Sequence, residues 1–237
     1  MATPDKINCF MRFLIRRFCV LDACLMDEVY LQDMGDFAME KVITIGREFG
    51  SGGREIGLKV AETLQIPFYD KELISMAAEQ GELAPTVVEH YEETVMHTGF
   101  YLARPALFNI YSQPITDKIF IDQYHAIQKL AKQGACVIVG RCSDYVLKDA
   151  AINVFVYAEM GTRIRRKLAL DIGIAERDME KHIRTVDKKR SEYYRCYTEQ
   201  LWGKAQNYHL CVDTSAIGVA GAVEMILQYC KCCGEAL

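Results

Sequence analysis

Val42-Ile-Thr-Ile-Gly-Arg-Glu-Phe-Gly-Ser-Gly-Gly-Arg-Glu-Ile-Gly57 is the stretch whose reading decides the fold. Val42, Ile43 and Ile45 are β-branched and apolar, the signature of a buried strand. The run then breaks into Gly50-Ser51-Gly52-Gly53 and resumes as a helix from Arg54 to Leu64, with Ile56, Val60, Ala61 and Leu64 on one face. A strand, a glycine turn and a helix N-terminus together make a phosphate site. Glycine lets backbone N–H groups point inward, and the helix start adds free donors and a positive dipole end.

The turn departs from the common P-loop pattern, G-x-x-x-x-G-K-[ST]. That pattern carries a lysine for the β- and γ-phosphates and a hydroxyl for Mg²⁺. With Gly52 as the second glycine, Gly53 stands at the lysine position, Arg54 at the hydroxyl position and Arg47 at the first glycine. Arg54 or Arg47 can replace the missing charge, but a planar guanidinium fork is not equivalent to an ammonium point charge.

Working outward, short runs rich in Val, Ile or aromatic residues fall at Lys41–Gly46, Pro67–Tyr69, Ala135–Gly140, Asn153–Ala158 and His209–Asp213. Helical patterns separate them, at Arg54–Leu64, Lys71–Gln80, Pro85–Met96, Ile115–Gln133, Gly161–Asp171, Ala175–Arg195 and Val219–Cys230. Strands alternating with helices predict βαβ units around a parallel sheet covered on both faces. Phe100 to Tyr111, an aromatic-rich stretch with Pro105 inside it and Pro114 just after it, is the least regular part and suits a substrate-side insertion.

The chain resembles the cytidylate-kinase-like family, P-loop relatives of the nucleoside-monophosphate kinases, from about Met39 to the C-terminus. The resemblance is carried by Ile43–Glu55, Ile66–Ile74, Val137–Cys142, Asp187–Tyr194 and Asn207–Ser215, in that order. It implies an α/β P-loop NTPase fold, a five-stranded parallel sheet ordered 2-3-1-4-5 and a helical lid. It also implies transfer of the ATP γ-phosphate, with Mg²⁺, to a small acceptor, a nucleoside monophosphate such as CMP. Two alternatives stay open: a nucleotide-binding regulator that has lost catalysis, motivated by the missing lysine, and a kinase of another small molecule.

By that resemblance Gly50, Ser51, Gly52, Gly53, Arg54 and Glu55 hold ATP. Arg54, Arg163, Arg166, Asp187 and Arg190 form the catalytic set, with Arg163 near the adenine, Arg166 reaching phosphates and Arg190 on the transferred phosphoryl, oriented by Asp187; Asp70 and Arg141 meet the acceptor. Each has a plainer reading. Asp70 suits the N-cap of a helix starting at Lys71. Arg163 and Arg166, three apart, can form a solvated basic face. Asp187 and Arg190 can form an ion pair along one helix. Asp213 and Thr214 can cap the last helix. Gly140-Arg141 matches a Gly-Arg pair of the family, but Cys142 replaces the Asp that usually follows. No metal ligand set is evident in the sequence.

Composition bounds the rest. The 237 residues are 51% apolar and 25% charged with net charge −4, an ordinary globular balance that gives no reason to expect nonspecific nucleic-acid binding, with Arg163–Lys167 and Lys188–Arg190 as candidates for a local basic cleft. The ten cysteines are irregularly spaced and read as reduced thiols of a cytoplasmic protein. Cys230-Lys-Cys-Cys233 lacks the second pair that a zinc site needs. Phe10 to Leu21 carries Arg12, Arg16 and Arg17, too many for a membrane span or a signal core. Residues 1–38 are expected to be an extension outside a domain spanning 39–237, Met39 itself being a natural start. Deleting residues 1–38 should therefore leave the melting temperature and nucleotide affinity nearly unchanged. A large fall in melting temperature would show the segment packed on the core.

Overall fold

The computed structural model of the protein describes residues 41–70 and 115–234. The expected helices Lys71–Gln80 and Pro85–Met96, the Phe100–Tyr111 stretch and residues 1–38 lie outside them. Five parallel strands form one sheet in the order β2-β3-β1-β4-β5. They are β1 (Val42–Arg47), β2 (Phe68–Tyr69), β3 (Val137–Val139), β4 (Ala151–Tyr157) and β5 (Leu210–Asp213). The order reverses at β1, whose neighbours are β3 and β4.

Helices cover both faces, so β4 is buried on both sides along Ala151–Val156. Period-two alternation divides the strand side chains between the faces. Ile45 and Val139 meet α1 (Gly53–Leu64) at Gly57. Val42, Ile138 and Ala151 face the other way, against Ile127 of α2 (Ile115–Lys132) and Val146 and Leu147 of α3 (Ser143–Leu147). α4 (Met160–Ala169) packs on α5 (Glu176–Thr198), and α6 (Thr214–Gly234) packs on α1, β4 and β5.

Among the described residues the expected elements form, with shifted ends. Gly218, with φ 67° and ψ −170°, is not helical; it separates a short helical turn starting at Thr214 from the main run of α6, which follows from Val219 as expected. The short helix α3 had no sequence sign: five residues are too few for a period. Among the described residues α6 alone has the length and hydropathy to cross a bilayer; its Ala222, Val223, Ile226 and Leu227 are buried.

One buried polar group ties the centre of the sheet to its edge. Asn153 accepts from Thr44 Oγ1 at 2.7 Å and donates to the Lys148 carbonyl at 3.0 Å. Its own N–H donates to His209 Nδ1 at 2.9 Å, and its carbonyl accepts from the His209 N–H at 2.7 Å. Asn153→Ala should lower unfolding stability by about 2 kcal/mol, because the buried Thr44 hydroxyl loses its acceptor. Denaturant titration checks this; an unchanged midpoint would contradict the role given to the side chain.

Candidate functional site

In an open parallel sheet, ligands sit beyond the carboxyl ends of the strands where the order reverses. Here the chain leaving β1 makes a tight loop. The Glu48 N–H extends the ladder to the Val156 carbonyl at 3.0 Å. The Ser51 N–H and hydroxyl both return to the Glu48 carbonyl, at 3.3 and 2.9 Å. Gly50 and Gly52 take φ of 83° and 89°, a region glycine enters without strain. The first bond of α1 runs from the Ile56 N–H to the Gly52 carbonyl at 3.0 Å. The N–H groups of Gly53, Arg54 and Glu55 thus belong to the open first turn of a helix, the donor set that receives phosphate. The Glu55 side chain pairs with Lys59 at 2.9 Å on the exposed face, so only its backbone can serve the loop.

Arg163 was expected near the adenine and Arg166 on phosphates; the structure places both under the loop. All three guanidinium nitrogens of Arg163 are engaged. Nε donates to the Phe49 carbonyl at 2.8 Å, Nη1 pairs with Glu48 Oε2 at 3.1 Å, and Nη2 pairs with Asp187. Asp187 also accepts the Phe49 N–H at 2.8 Å. The within-helix pairing considered for Asp187 and Arg190 is therefore replaced by a bridge from α5 to α4. Arg166 Nη1 donates to the Ser51 carbonyl at 2.8 Å and to Thr214 Oγ1 at 2.7 Å, tying the loop to the end of β5. Asp213 accepts the Ser215 N–H at 2.8 Å, and the Ser215 hydroxyl and this N–H together hold its carboxyl below the usual range.

Arg54 turns outward to Asp70, with Nε at 2.9 Å and Nη2 at 2.6 Å from Oδ2. Any capping role of Asp70 toward Lys71 lies outside the described residues. The P-loop hydroxyl that would meet Mg²⁺ is thus replaced by a cation already bound to a carboxylate. Among the described residues no group of three or more His, Cys, Asp or Glu gathers to hold a metal ion. The described residues do not fit the Mg²⁺ ligand set of the common pattern.

Beyond β1 and β3 lies an open cleft with about 490 Å³ of empty space, its mouth included. Arg47, Arg141 and Arg190 line it, with Asp144, Tyr194 and Trp202. Gly140, Arg141 and Cys142 have φ of 81°, 59° and 55° in succession. The last two carry side chains, so the turn is strained, as at many binding sites. It reverses the chain into α3 and brings Asp144 into the cleft, two residues after the position where the family's Asp is missing. Only the family's usual Asp hinted at this residue; the left-handed pair had no sequence signal. Phe49 was also missed. Its ring lies 4.2 Å from Lys167 Nζ and 5.6 Å from Arg190 Cζ, with the His182 ring edge-on at 5.5 Å.

Asp144 is buried and accepts from the Tyr194 hydroxyl at 2.7 Å. Burial pushes its carboxyl above the usual range, against the pull of that hydrogen bond.

Comparison with known proteins fits this geometry. The sequence profile of the cytidylate kinase-like family matches residues 42–216. No curated protein matches the chain significantly. An uncharacterized protein from Eubacterium ventriosum, known from a crystal structure, is 28% identical, with 81% of this chain and 99% of that chain covered and a TM-score of 0.63. Shikimate kinase from Acinetobacter baumannii, solved with shikimate, is 16% identical, with 83% and 96% covered and a TM-score of 0.49. Shikimate kinase from Aquifex aeolicus is 15% identical, with 82% and 97% covered and a TM-score of 0.43.

A carboxyl with a raised folded pKa stabilises the protein fully below its unfolded value, and that contribution is lost as pH rises through the folded value. Asp144→Asn keeps an acceptor for Tyr194 and removes the titration. The unmodified protein should therefore lose stability relative to Asp144→Asn as pH rises from about 4 toward neutrality. Melting temperatures of both proteins across that range check the sign; a parallel pair of curves would refute the raised carboxyl.

Proposed function

Because the chain belongs to the cytidylate kinase-like family, we propose that it transfers the γ-phosphate of ATP to a small anionic acceptor, in the first instance a nucleoside monophosphate such as CMP. The observation that carries this reading is the convergence of Arg47, Arg141 and Arg190 on one cleft beside the glycine loop. Phosphoryl transfer needs positioning and charge neutralisation rather than covalent help from the protein. The loop N–H groups would cradle ATP from Gly50 to Glu55. Arg141, turned in by its left-handed backbone, would hold the acceptor's anionic group. Arg190 would meet the charge that develops on the transferred phosphoryl. Arg163, Asp187 and Arg166 would act as positioning residues that hold the loop in its receptive shape. Mg²⁺ arriving with ATP would be held by the phosphates, since the hydroxyl position carries Arg54.

A second reading has its own observation. Gly53 is buried and Arg54 is committed to Asp70, so neither supplies a lysine-like charge. The chain would then bind nucleotide as a regulator without turning it over. We also place the protein in the cytoplasm, where its seven described cysteines, all unbridged, would stay reduced.

Turnover of ATP against a panel of nucleoside monophosphates and other small anions tests the reading. With an active acceptor, Arg190→Ala should lower kcat by about 10²-fold with little change in ATP affinity, as expected for a group acting in the transition state. Arg141→Ala should chiefly raise the acceptor KM, by about tenfold for a lost charge-assisted contact. ATP binding with no turnover of any acceptor would establish the regulator instead.

A further inference from the structure

The two departures in the loop, Arg47 for glycine and Gly53 for lysine, are one arrangement. A Cβ built on Gly53 would lie 2.4 Å from Cβ and 2.9 Å from Cγ of Arg47. Atoms do not approach so closely, so Arg47 and a side chain at position 53 exclude each other. The arginine stem covers the spot from which a lysine would otherwise rise. Its head continues across the end of β3, where a Cβ on Gly140 would lie 1.9 Å from Nη1 and 3.0 Å from Cζ. Two glycines on separate elements thus leave a groove for one arginine. The Arg47 carbonyl accepts from Arg190 Nη1 at 3.2 Å, which fixes the base of the same residue.

We propose that Arg47 is the phosphate-binding cation of this site, performing from the end of β1 the task that a P-loop lysine performs from the helix. Its guanidinium lies against Gly140, beside Arg141, and lines the cleft. A guanidinium can present two parallel N–H donors to the oxygens of one phosphoryl group, which a lysine cannot do. Arg54, the other candidate, is turned away: its side chain is 62% exposed and held by Asp70. The inference rests on ATP occupying the loop.

Calorimetric titration with ATP, repeated with inorganic tripolyphosphate, tests it on three variants. Arg47→Met keeps the stem and removes the charge; it should weaken ATP binding by about tenfold or more, the usual cost of a lost charge-assisted contact. Gly53→Lys alone should bind ATP poorly, because its side chain collides with Arg47. Arg47→Gly combined with Gly53→Lys restores the common pattern and should bring affinity back to within about threefold of the unmodified protein. If Gly53→Lys does not fold, Arg47→Met decides the matter. Undiminished ATP affinity in folded Arg47→Met overturns this inference and leaves the proposed function standing. An unmodified protein that binds neither ATP nor tripolyphosphate overturns both.

Discussion

The buried guanidinium of Arg163 is the constraint on which the site depends. It is 4% exposed, and a cation so placed is tolerable only if its donors are matched by acceptors. The acceptors come from separate parts of the chain: the Phe49 carbonyl and the Glu48 carboxylate in the loop, and Asp187 on α5. None can move away without stranding the charge. Glu48 is held in turn by the Ala158 N–H at 3.2 Å, while burial raises its carboxyl. The loop is therefore fixed by its supports before any anion arrives, which is the condition for dipoles to act without reorganising.

Phe49 extends that coupling to α4 and α5. Its backbone is gripped at both ends, by Arg163 and Asp187, and its ring lies against Lys167 and Arg190. Partial burial and the neighbouring Arg190 hold the Lys167 amine below its usual range. An aromatic face makes such crowding of two cations tolerable, because the ring's negative face attracts each of them. A residue that reads as one more apolar letter in a glycine loop thus sets where two cations stand.

The fold was legible because its evidence is local. Short apolar runs marked the strands, and the family resemblance implied their order. The loop's donors could be named for the same reason, as the opening turn of a helix follows directly from the glycine break. Partnerships were harder to read. Asp187 and Arg190, three apart on one helix, satisfy the rule for a helical pair, yet Asp187 binds Arg163 on another helix. Periodicity says which residues share a face but not what that face meets. Asp144 was hidden for a different reason. Its place follows from two left-handed residues with side chains, Arg141 and Cys142, a conformation that tertiary context imposes and no residue type announces.

The collision between Arg47 and a side chain at position 53 also limits how such a chain can change. No single substitution converts this loop into the lysine form. Installing lysine first sets two side chains in one space, and removing arginine first leaves the loop with neither cation. A lineage can cross only through an intermediate impaired in one of these ways, so the two forms behave as separate valleys on a mutational landscape. A search keyed to the lysine would pass over every member of the arginine valley, however complete its phosphate cradle.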